Sequence, residues 1–207
     1  VTSIGERAFY NCTSLTSVTI GRGVKNIGNS AFASCDKLVE VINKSDLHAE
    51  NEGYSIVGRR VLIEHSGETK IVNNDGYLFI SVDGNNYMVG YVGDETVLTL
   101  PQNYNGESYE IYSYAFYMCK FITNIIIPNS VTALGNSTFE GCSNLTSVTI
   151  GNGVKKVGWS IFAFCKKLTS IEFRGTKEQW NSIGKGSLGY GVDNSTISCT
   201  DGDITKS

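Results

Sequence analysis

The sequence has few of the residues that enzymes and metal proteins use at their sites. It contains two histidines, His48 and His65, and two prolines in 207 residues. It has no C-x-x-C pair, no H-E-x-x-H motif, no nucleophile elbow and no glycine-rich phosphate loop ahead of a predicted helix. These absences predict a protein that is not an enzyme and that has neither a metal site nor a bound cofactor.

The sequence also lacks a strong charge of either sign and long hydrophobic runs. Its formal net charge is −3, and 18% of its residues are charged. A surface for nucleic acid needs a basic excess, so no nucleic-acid partner is expected. No run approaches the roughly 18 apolar residues of a membrane span, so no membrane insertion is expected. The sequence starts at Val1 without an initiator methionine, and we interpret it as a fragment.

What the sequence does contain is an internal repeat with a period of 23 residues. Cys12 and Cys35 are 23 residues apart, and the same spacing separates Cys119, Cys142 and Cys165. Five units with the same pattern begin at residues 1, 24, 108, 131 and 154. A fixed period of this length is the sequence signature of a solenoid, in which each unit covers the apolar face of the next.

Each unit combines two local patterns. In the first unit, "AFYNC" places apolar residues at the spacing of about one helical turn and a half, which predicts a short one-turn helix. The following "LTSVTI" alternates between apolar and polar residues, which predicts a strand with Val18 and Ile20 facing inward. One unit buries too few side chains to offset the entropy of ordering its backbone, so the units must stack to fold.

The repeat resembles a known family. Leu15, Val18 and Ile20 form an L-x-x-L-x-L core, and the phrase "IG..AF..C..L.S..I" is similar to the BspA-like class of leucine-rich repeats. The resemblance implies a right-handed leucine-rich-repeat solenoid, β-rich with short one-turn helices, and a parallel strand ladder on its concave face. Members of the class are typically surface-exposed proteins of host-associated bacteria and some protists, and several of them are adhesins.

We predict one continuous solenoid domain over residues 1–207. Its parts are repeats 1–2 (1–46), degenerate repeats with a tyrosine-rich β-hairpin outgrowth (47–107), repeats 3–5 (108–176) and a C-terminal cap (177–207).

The degenerate region shows a hairpin and a decayed repeat. "YLFISVDGNNYMVGYV" has two β-rich runs around Asp83 and Gly84, which is typical of a hairpin. "TVLTLP" ends in Pro101 at the phase at which "IIIP" ends in Pro128. Leu98 and Leu100 are therefore predicted to face inward, as in a repeat. The preceding "SIVGRRVLI" is interpreted as another decayed unit.

The tail departs from the period and is predicted to cover the open end of the solenoid. "GTKEQWNSI" offers Thr176 as a helix N-cap with Gln179 three residues later, the pattern of a capping box. Trp180 and Ile183 then fall on one face of the short helix. "TISCTDGDI" predicts a strand and a turn. The family resemblance also implies a closing segment here.

The periodic cysteines are predicted to be buried and not joined by disulfides. Stacked strands are about 4.8 Å apart, so equivalent cysteines would have parallel Cβ atoms at about that distance. A disulfide needs its Cβ atoms at about 3.8 Å. We therefore expect a ladder of small apolar thiols. Cys199 lies outside the period, and its environment does not follow from the sequence.

The strand ladder offers the candidate binding surface. Outward positions are polar in the outer repeats, whereas the central repeats place Ile42, Val97 and Ile126 there. Two interpretations stay open: these side chains form an apolar binding centre, or a neighbouring loop covers them. The predicted ligand-binding residues are Thr19, Glu40, Ile42, Val97, Thr99, Asn124, Ile126, Thr149 and Glu172, with Tyr87 and Tyr91 as contacts from the hairpin.

Two classes of function fit the sequence. The first is a non-enzymatic, adhesin-type binding module of a bacterial cell-surface or secreted protein. By resemblance, its ligand is a protein, such as a host surface or extracellular-matrix protein. The alternative is a passive spacer that presents another domain, or an accessory region of a larger surface enzyme.

Overall fold

The computed structural model describes the chain except for residues 16, 36–37, 39, 46–63, 66–70, 83, 191, 193–195 and 205–207. The chain divides into two compact units, Val1–Val72 and Asn73–Ser207. Each unit has its own hydrophobic core. The single continuous domain stays a prediction, and the segment "SIVGRRVLI" lies outside the described residues.

The described secondary structure consists almost entirely of short strands. In the N-terminal unit these are β1 (Ser3–Ile4), β2 (Ser17–Ile20), β3 (Asn26–Ile27), β4 (Glu40–Asn43) and β5 (Glu64–His65). From the boundary onward they are β6 (Val72–Asn74), β7 (Tyr77–Val82), β8 (Asn85–Tyr91), β9 (Val97–Thr99), β10 (Tyr109–Ile111), β11 (Asn124–Ile127), β12 (Val131–Leu134), β13 (Ser147–Ile150), β14 (Lys156–Val157), β15 (Ser170–Phe173), helix α1 (Lys177–Ser182), β16 (Gly184–Lys185), β17 (Ile197–Cys199) and β18 (Gly202–Ile204).

The N-terminal unit contains two small parallel sheets. Strand β1 pairs with β3, and β2 pairs with β4, which also pairs with β5. The register joins residues 23 positions apart, such as Ser17 with Glu40. Ile20, Phe32 and Leu38 are buried in the core between the strands and turns. The sequence period therefore corresponds to one step along the stack.

The C-terminal unit is built from two larger sheets. The first sheet has the order β18–β17–β15–β13–β11–β9, and the second has the order β16–β14–β12–β10–β8–β7–β6. In the first sheet, Ile125 pairs with Val148, and Val148 pairs with Ile171, so equivalent residues of successive repeats lie side by side. Inward residues of both sheets share one core. This arrangement confirms the leucine-rich-repeat solenoid.

The segments predicted as one-turn helices are series of tight turns. In the first repeat, Ala8, Tyr10 and Cys12 donate backbone hydrogen bonds to residues three positions earlier. The alternate residues Arg7 and Phe9 donate to the next repeat instead. Left-handed residues, among them Arg7 and Asn11, interrupt each series. A helix cannot propagate through such residues, so bonds between repeats replace bonds along a helix.

Side chains repeat the backbone period as ladders. The rings of Phe116, Phe139 and Phe162 stack with centroid distances of 5.2 and 5.6 Å. The hydroxyl of Thr146 donates to the carbonyl of Thr123, and that of Thr123 donates to the carbonyl of Thr96. Each repeat thus contributes the same contact to its neighbour, as the nearest-neighbour description of solenoids requires.

All six cysteines are reduced thiols. Cys35, Cys119, Cys142 and Cys165 are buried, as predicted. The prediction was wrong for Cys12, which is half-buried and packs against the N-terminal core. Cys199 is also half-buried and packs against the C-terminal core.

The hairpin predicted around Gly84 is confirmed, since β7 and β8 pair in antiparallel fashion. It is not an outgrowth, however. Strand β8 continues the second sheet by pairing in parallel with β10. Phe79, Ile80 and Met88 are fully buried, so the hairpin belongs to the core. The decayed repeat is also confirmed, because Leu98 and Leu100 are buried.

The tail forms the predicted cap. Thr176 Oγ1 accepts from the backbone N–H of Gln179, and the Gln179 side chain accepts from the Thr176 N–H, which completes the capping box of α1. Trp180 packs at 5.2 Å from Phe173 at the end of the first sheet. Strand β18 then turns back antiparallel to β17 and ends the parallel ladder.

Candidate functional site

The ladder face is the outward side of strands β9, β11, β13 and β15 in the first sheet. Two rows of side chains cross it. Val97 lies beside Asn124, which is followed by Ser147 and Ser170. The second row consists of Thr99, Ile126, Thr149 and Glu172. The strand pairing fixes the backbone of this face, and inward neighbours such as Ile125 and Val148 are buried in the core.

The predicted apolar row is not a single row. Val97 is 54% exposed and stands in the row of Ser147, whereas Ile126 is half-buried and stands in the row of Thr149. Val97 and Ile126 are therefore diagonal neighbours. Ile42 belongs to the sheet of the N-terminal unit, where its backbone pairs with Thr19. Its side chain and that of Glu40 lie outside the described residues.

The polar residues of the ladder face bond to one another across the strands. The Asn124 amide donates to the Ser147 hydroxyl, and Thr149 Oγ1 donates to Glu172 Oε2 at 3.1 Å. Arg174 Nε lies 3.9 Å from Glu172 Oε1. These bonds fix the orientation of the side chains on the ladder face. Thr19 occupies the equivalent exposed position in the N-terminal unit.

The two tyrosines predicted as hairpin contacts do not extend the ladder face. Both belong to β8, which is in the second sheet. Tyr91 is 5% exposed, so its ring is buried and unavailable as a contact. Tyr87 is half-buried, and its ring packs edge-on against Tyr112 at 5.7 Å. The prediction failed here because the hairpin continues the second sheet instead of projecting from the ladder.

Another tyrosine joins the hairpin to the ladder. Tyr77 donates its hydroxyl to the carbonyl of Thr99 on β9 at 3.1 Å. Burial, with the nearby Tyr91 and Glu95, raises the pKa of Tyr77 to about 12. Burial also raises the pKa of Tyr109, whose hydroxyl donates to the carbonyl of Pro101 at 2.8 Å. These phenols act as neutral structural donors.

Over the parts of the chain that the structure describes, no group of three or more His, Cys, Asp or Glu could hold a metal ion. A cavity of about 310 Å³ lies beside Asn86, Glu107 and Glu110. The amide of Asn86 donates to Glu107 Oε2 there, which ties that carboxylate into the fold. Within the same described ranges, no helix is long and apolar enough to cross a membrane.

Sequence reasoning missed one exposed surface. Trp159, Phe164 and Tyr190 are exposed on the turns that connect the second sheet to the first at the last repeat. A comparison of the repeats could have revealed this surface, because Trp159 and Phe164 replace the non-aromatic Asn136 and Gly141 that lie 23 positions earlier. Their exposure did not follow from the hydrophobic pattern.

The stacked parallel strands, the 23-residue register and the capped end define a leucine-rich-repeat solenoid. The family described as the BspA type leucine-rich repeat region matches residues 1–54 and 107–202 in six copies. The chain belongs to this family. No curated protein sequence matches it.

Several solved structures are similar to the chain. A leucine-rich cell surface protein from Faecalibacterium prausnitzii is 22% identical, with a TM-score of 0.34 over 90% of this chain and 55% of that protein. The leucine-rich repeat protein of T. pallidum is 19% identical, with a TM-score of 0.45 over 59% of this chain and 66% of its own. A Bacteroides capillosus leucine-rich repeat protein is 21% identical, with a TM-score of 0.48 over 62% of this chain and 97% of that protein. The chain thus spans less than two thirds of the length of the first two of these proteins.

Proposed function

We propose that this chain is a non-enzymatic, adhesin-type binding module of a bacterial cell-surface or secreted protein. Its ligand is a protein, such as a host surface or extracellular-matrix protein, and the ladder face contacts it. Membership of the BspA-type family supports this proposal. So does the cell-surface description of the similar protein from Faecalibacterium prausnitzii.

The single observation that carries the proposal is the composition of the ladder face. An exposed Val97 and a half-buried Ile126 lie among polar side chains that are already hydrogen-bonded to one another. Val97 and Ile126 lie on β9 and β11, at one end of the ladder face, with polar side chains beside them. Apolar side chains bordered by polar ones are the usual anatomy of a protein-binding surface. A spacer has no need of such an apolar patch, because nothing docks on it.

The test uses the double variant Val97→Thr/Ile126→Thr and immobilised fibronectin, laminin and collagen. Thr stands at the position equivalent to Ile126 in the next repeat, so we expect the free energy of unfolding to fall by less than about 1 kcal/mol. Affinity for the matrix protein that binds should fall about tenfold or more, because a few apolar contacts dominate interfaces of this kind. Glu110→Thr, an exposed change in the second sheet, is the matched control.

Three results would contradict the proposal in different ways. Unchanged affinity of the double variant would exclude the ladder face as the site. Unfolding of the double variant would show that both side chains belong to the core. Failure of all three matrix proteins to bind the wild type would favour the spacer.

A further inference from the structure

The turns of the last repeat present three aromatic rings to solvent. We call this surface the turn face; it consists of residues 158–167 and the following turn that ends at Tyr190. Trp159 is 66% exposed, Phe164 is 53% exposed and Tyr190 is 79% exposed. The Phe164 and Tyr190 rings lie on adjacent turns, with centroids 6.4 Å apart. The core does not need these rings, because a separate ladder that includes Phe162 fills it.

The exposed ring of Phe164 stands on a backbone position with a left-handed conformation. Phe164 has a φ of 60°, in the left-handed region. Equivalent left-handed positions in other repeats hold Asn11, Ser34, Met118 and Gly141. Glycine and asparagine tolerate this conformation, whereas most other L-residues raise the energy by roughly 1–2 kcal/mol. The left-handed conformation is common to these repeats, and the last repeat differs from them by placing an exposed aromatic ring on it.

Lysines flank the rings on both sides. Lys155 and Lys156 precede the turn, Lys166 and Lys167 follow it, and all four are exposed. Lys155 Nζ donates to the carbonyl of Asn152, and Lys167 Nζ donates to Asn144 Oδ1, so these contacts do not neutralise the charges.

Positive charge in the C-terminal unit is concentrated around these turns. Residues 150–190 contain seven Lys and Arg against two Asp and Glu, and residues 191–207 add one Lys and three Asp. Residues 73–149 contain one Lys or Arg against seven Asp and Glu. The near-neutral net charge of the whole chain hides this separation. A local field of one sign attracts ligands of the other sign, so the partner of the turn face is an anion.

We propose that the turn face binds an anionic polysaccharide. The C–H groups on a sugar-ring face carry a partial positive charge and pack against the negative faces of aromatic rings. Phe164 and Tyr190, one turn apart, provide such faces for a chain running along the stack, and Trp159 provides another. The flanking lysines bind its carboxylate or sulfate groups. This surface is separate from the ladder face and does not depend on the proposed protein ligand.

The proposal predicts the behaviour of variants that restore other repeats' residues. The probe is a sulfated heparin oligosaccharide, titrated calorimetrically against the whole chain, with neutral dextran of similar size as the negative control. Phe164→Asn and Trp159→Asn copy the residues at Asn11 and Asn136 and should each lower the affinity about tenfold. Lys166→Ser/Lys167→Asn copies Ser143 and Asn144 and should also reduce the dependence of affinity on salt. Val97→Thr on the ladder face should have no effect.

Each remaining outcome would overturn the proposal. Unchanged oligosaccharide affinity in Phe164→Asn and Trp159→Asn would exclude the rings from binding. If a single-stranded DNA of equal charge binds the wild type as tightly, the surface is a general polyanion site and the saccharide assignment is wrong. Loss of affinity in Val97→Thr would place the site on the ladder face. Thermal unfolding of each variant distinguishes a loss of binding from a loss of folding. If Phe164→Asn is unstable, the affinity of Trp159→Asn is the test of whether the rings bind the oligosaccharide.

Discussion

The periodic cysteines are donors as well as small apolar residues. The thiols of Cys35, Cys142 and Cys165 each donate to a carbonyl in the preceding repeat, at 3.0, 3.0 and 3.1 Å. The acceptors are carbonyls of the stacked phenylalanines, such as Phe116 for Cys142. Alanine or valine would fill a similar space but could not donate. This bond gives a physical reason for cysteine at the same position in these three repeats.

Thiol reactivity tests this arrangement. Burial raises the pKa of Cys142 well above its ordinary value, so its thiolate is disfavoured as well as inaccessible. In the native protein we expect Cys142 to react with a thiol reagent far more slowly than the half-buried Cys12 and Cys199. Unfolding in urea without reductant should then expose six reactive thiols. Mass spectrometry of the modified peptides gives both results, and a count below six would reveal disulfides.

At the scale of single elements, the capping box of α1 offers a direct stability test. Thr176 satisfies the N–H of Gln179 at 3.1 Å, and the helix presents Trp180 to the core. Thr176→Ala removes the cap and should lower the free energy of unfolding by about 1 kcal/mol. Thr176→Ser keeps the hydroxyl and should lower it by less. Urea unfolding measures both, and equal losses would mean that the methyl group matters instead of the cap.

The bond between the hairpin and the ladder predicts a pH dependence. Folding raises the pKa of Tyr77 from 10.0 to about 12, so the folded state retains a proton that the unfolded state releases. The stability contributed by this group is complete below pH 10 and declines as the pH rises toward 12. Tyr77→Phe should therefore show a shallower alkaline decline, along with a loss of roughly 0.5–1.5 kcal/mol at pH 7 from the missing hydrogen bond.

Urea unfolding at several pH values between 8 and 12 measures this decline. Tyr190→Phe, at an exposed ring, is the control and should follow the wild type. The same alkaline slope in Tyr77→Phe and the wild type would show that Tyr77 does not contribute. Tyr91 and Tyr109, whose pKa values burial also raises, account for a decline common to all variants.

The elements show which features a sequence of this kind can predict. The inward positions of Leu98 and Leu100 followed from the two-residue period of strands. The capping box followed from local chemistry at Thr176 and Gln179. The prediction that Tyr91 contacts a ligand was wrong because the hairpin does not follow the 23-residue repeat. Its local sequence therefore does not indicate which of the two sheets the hairpin joins. The left-handed conformation at Phe164 was also invisible, since a hydrophobic pattern contains no information about φ.

For the molecule as a whole, equivalent side chains are buried to different degrees in the two units. In the first repeat of the N-terminal unit, Ile4, Cys12, Leu15 and Val18 are partly buried. The residues at the same repeat positions in the C-terminal unit, Leu134, Cys142, Leu145 and Val148, are buried. Buried apolar area is the main favourable term in folding. Because solenoid stability sums over repeats and their interfaces, the two units should not be equally stable.

Native-state hydrogen exchange is expected to show this difference directly. Amides of β11, β13 and β15 are paired on both sides within a large core, so their exchange should require global opening of the C-terminal unit. Amides of β2 and β3 lie beside partly buried side chains such as Leu15 and Val18. They should exchange through an opening whose free energy is lower by at least about 1.4 kcal/mol, a factor of ten in rate. Mass spectrometry of peptic peptides over a range of low urea concentrations measures both opening reactions. If peptides from the two units exchange at the same rate and respond equally to urea, the chain unfolds as a single cooperative solenoid, and the deeper burial of these side chains gives the C-terminal unit no separate stability.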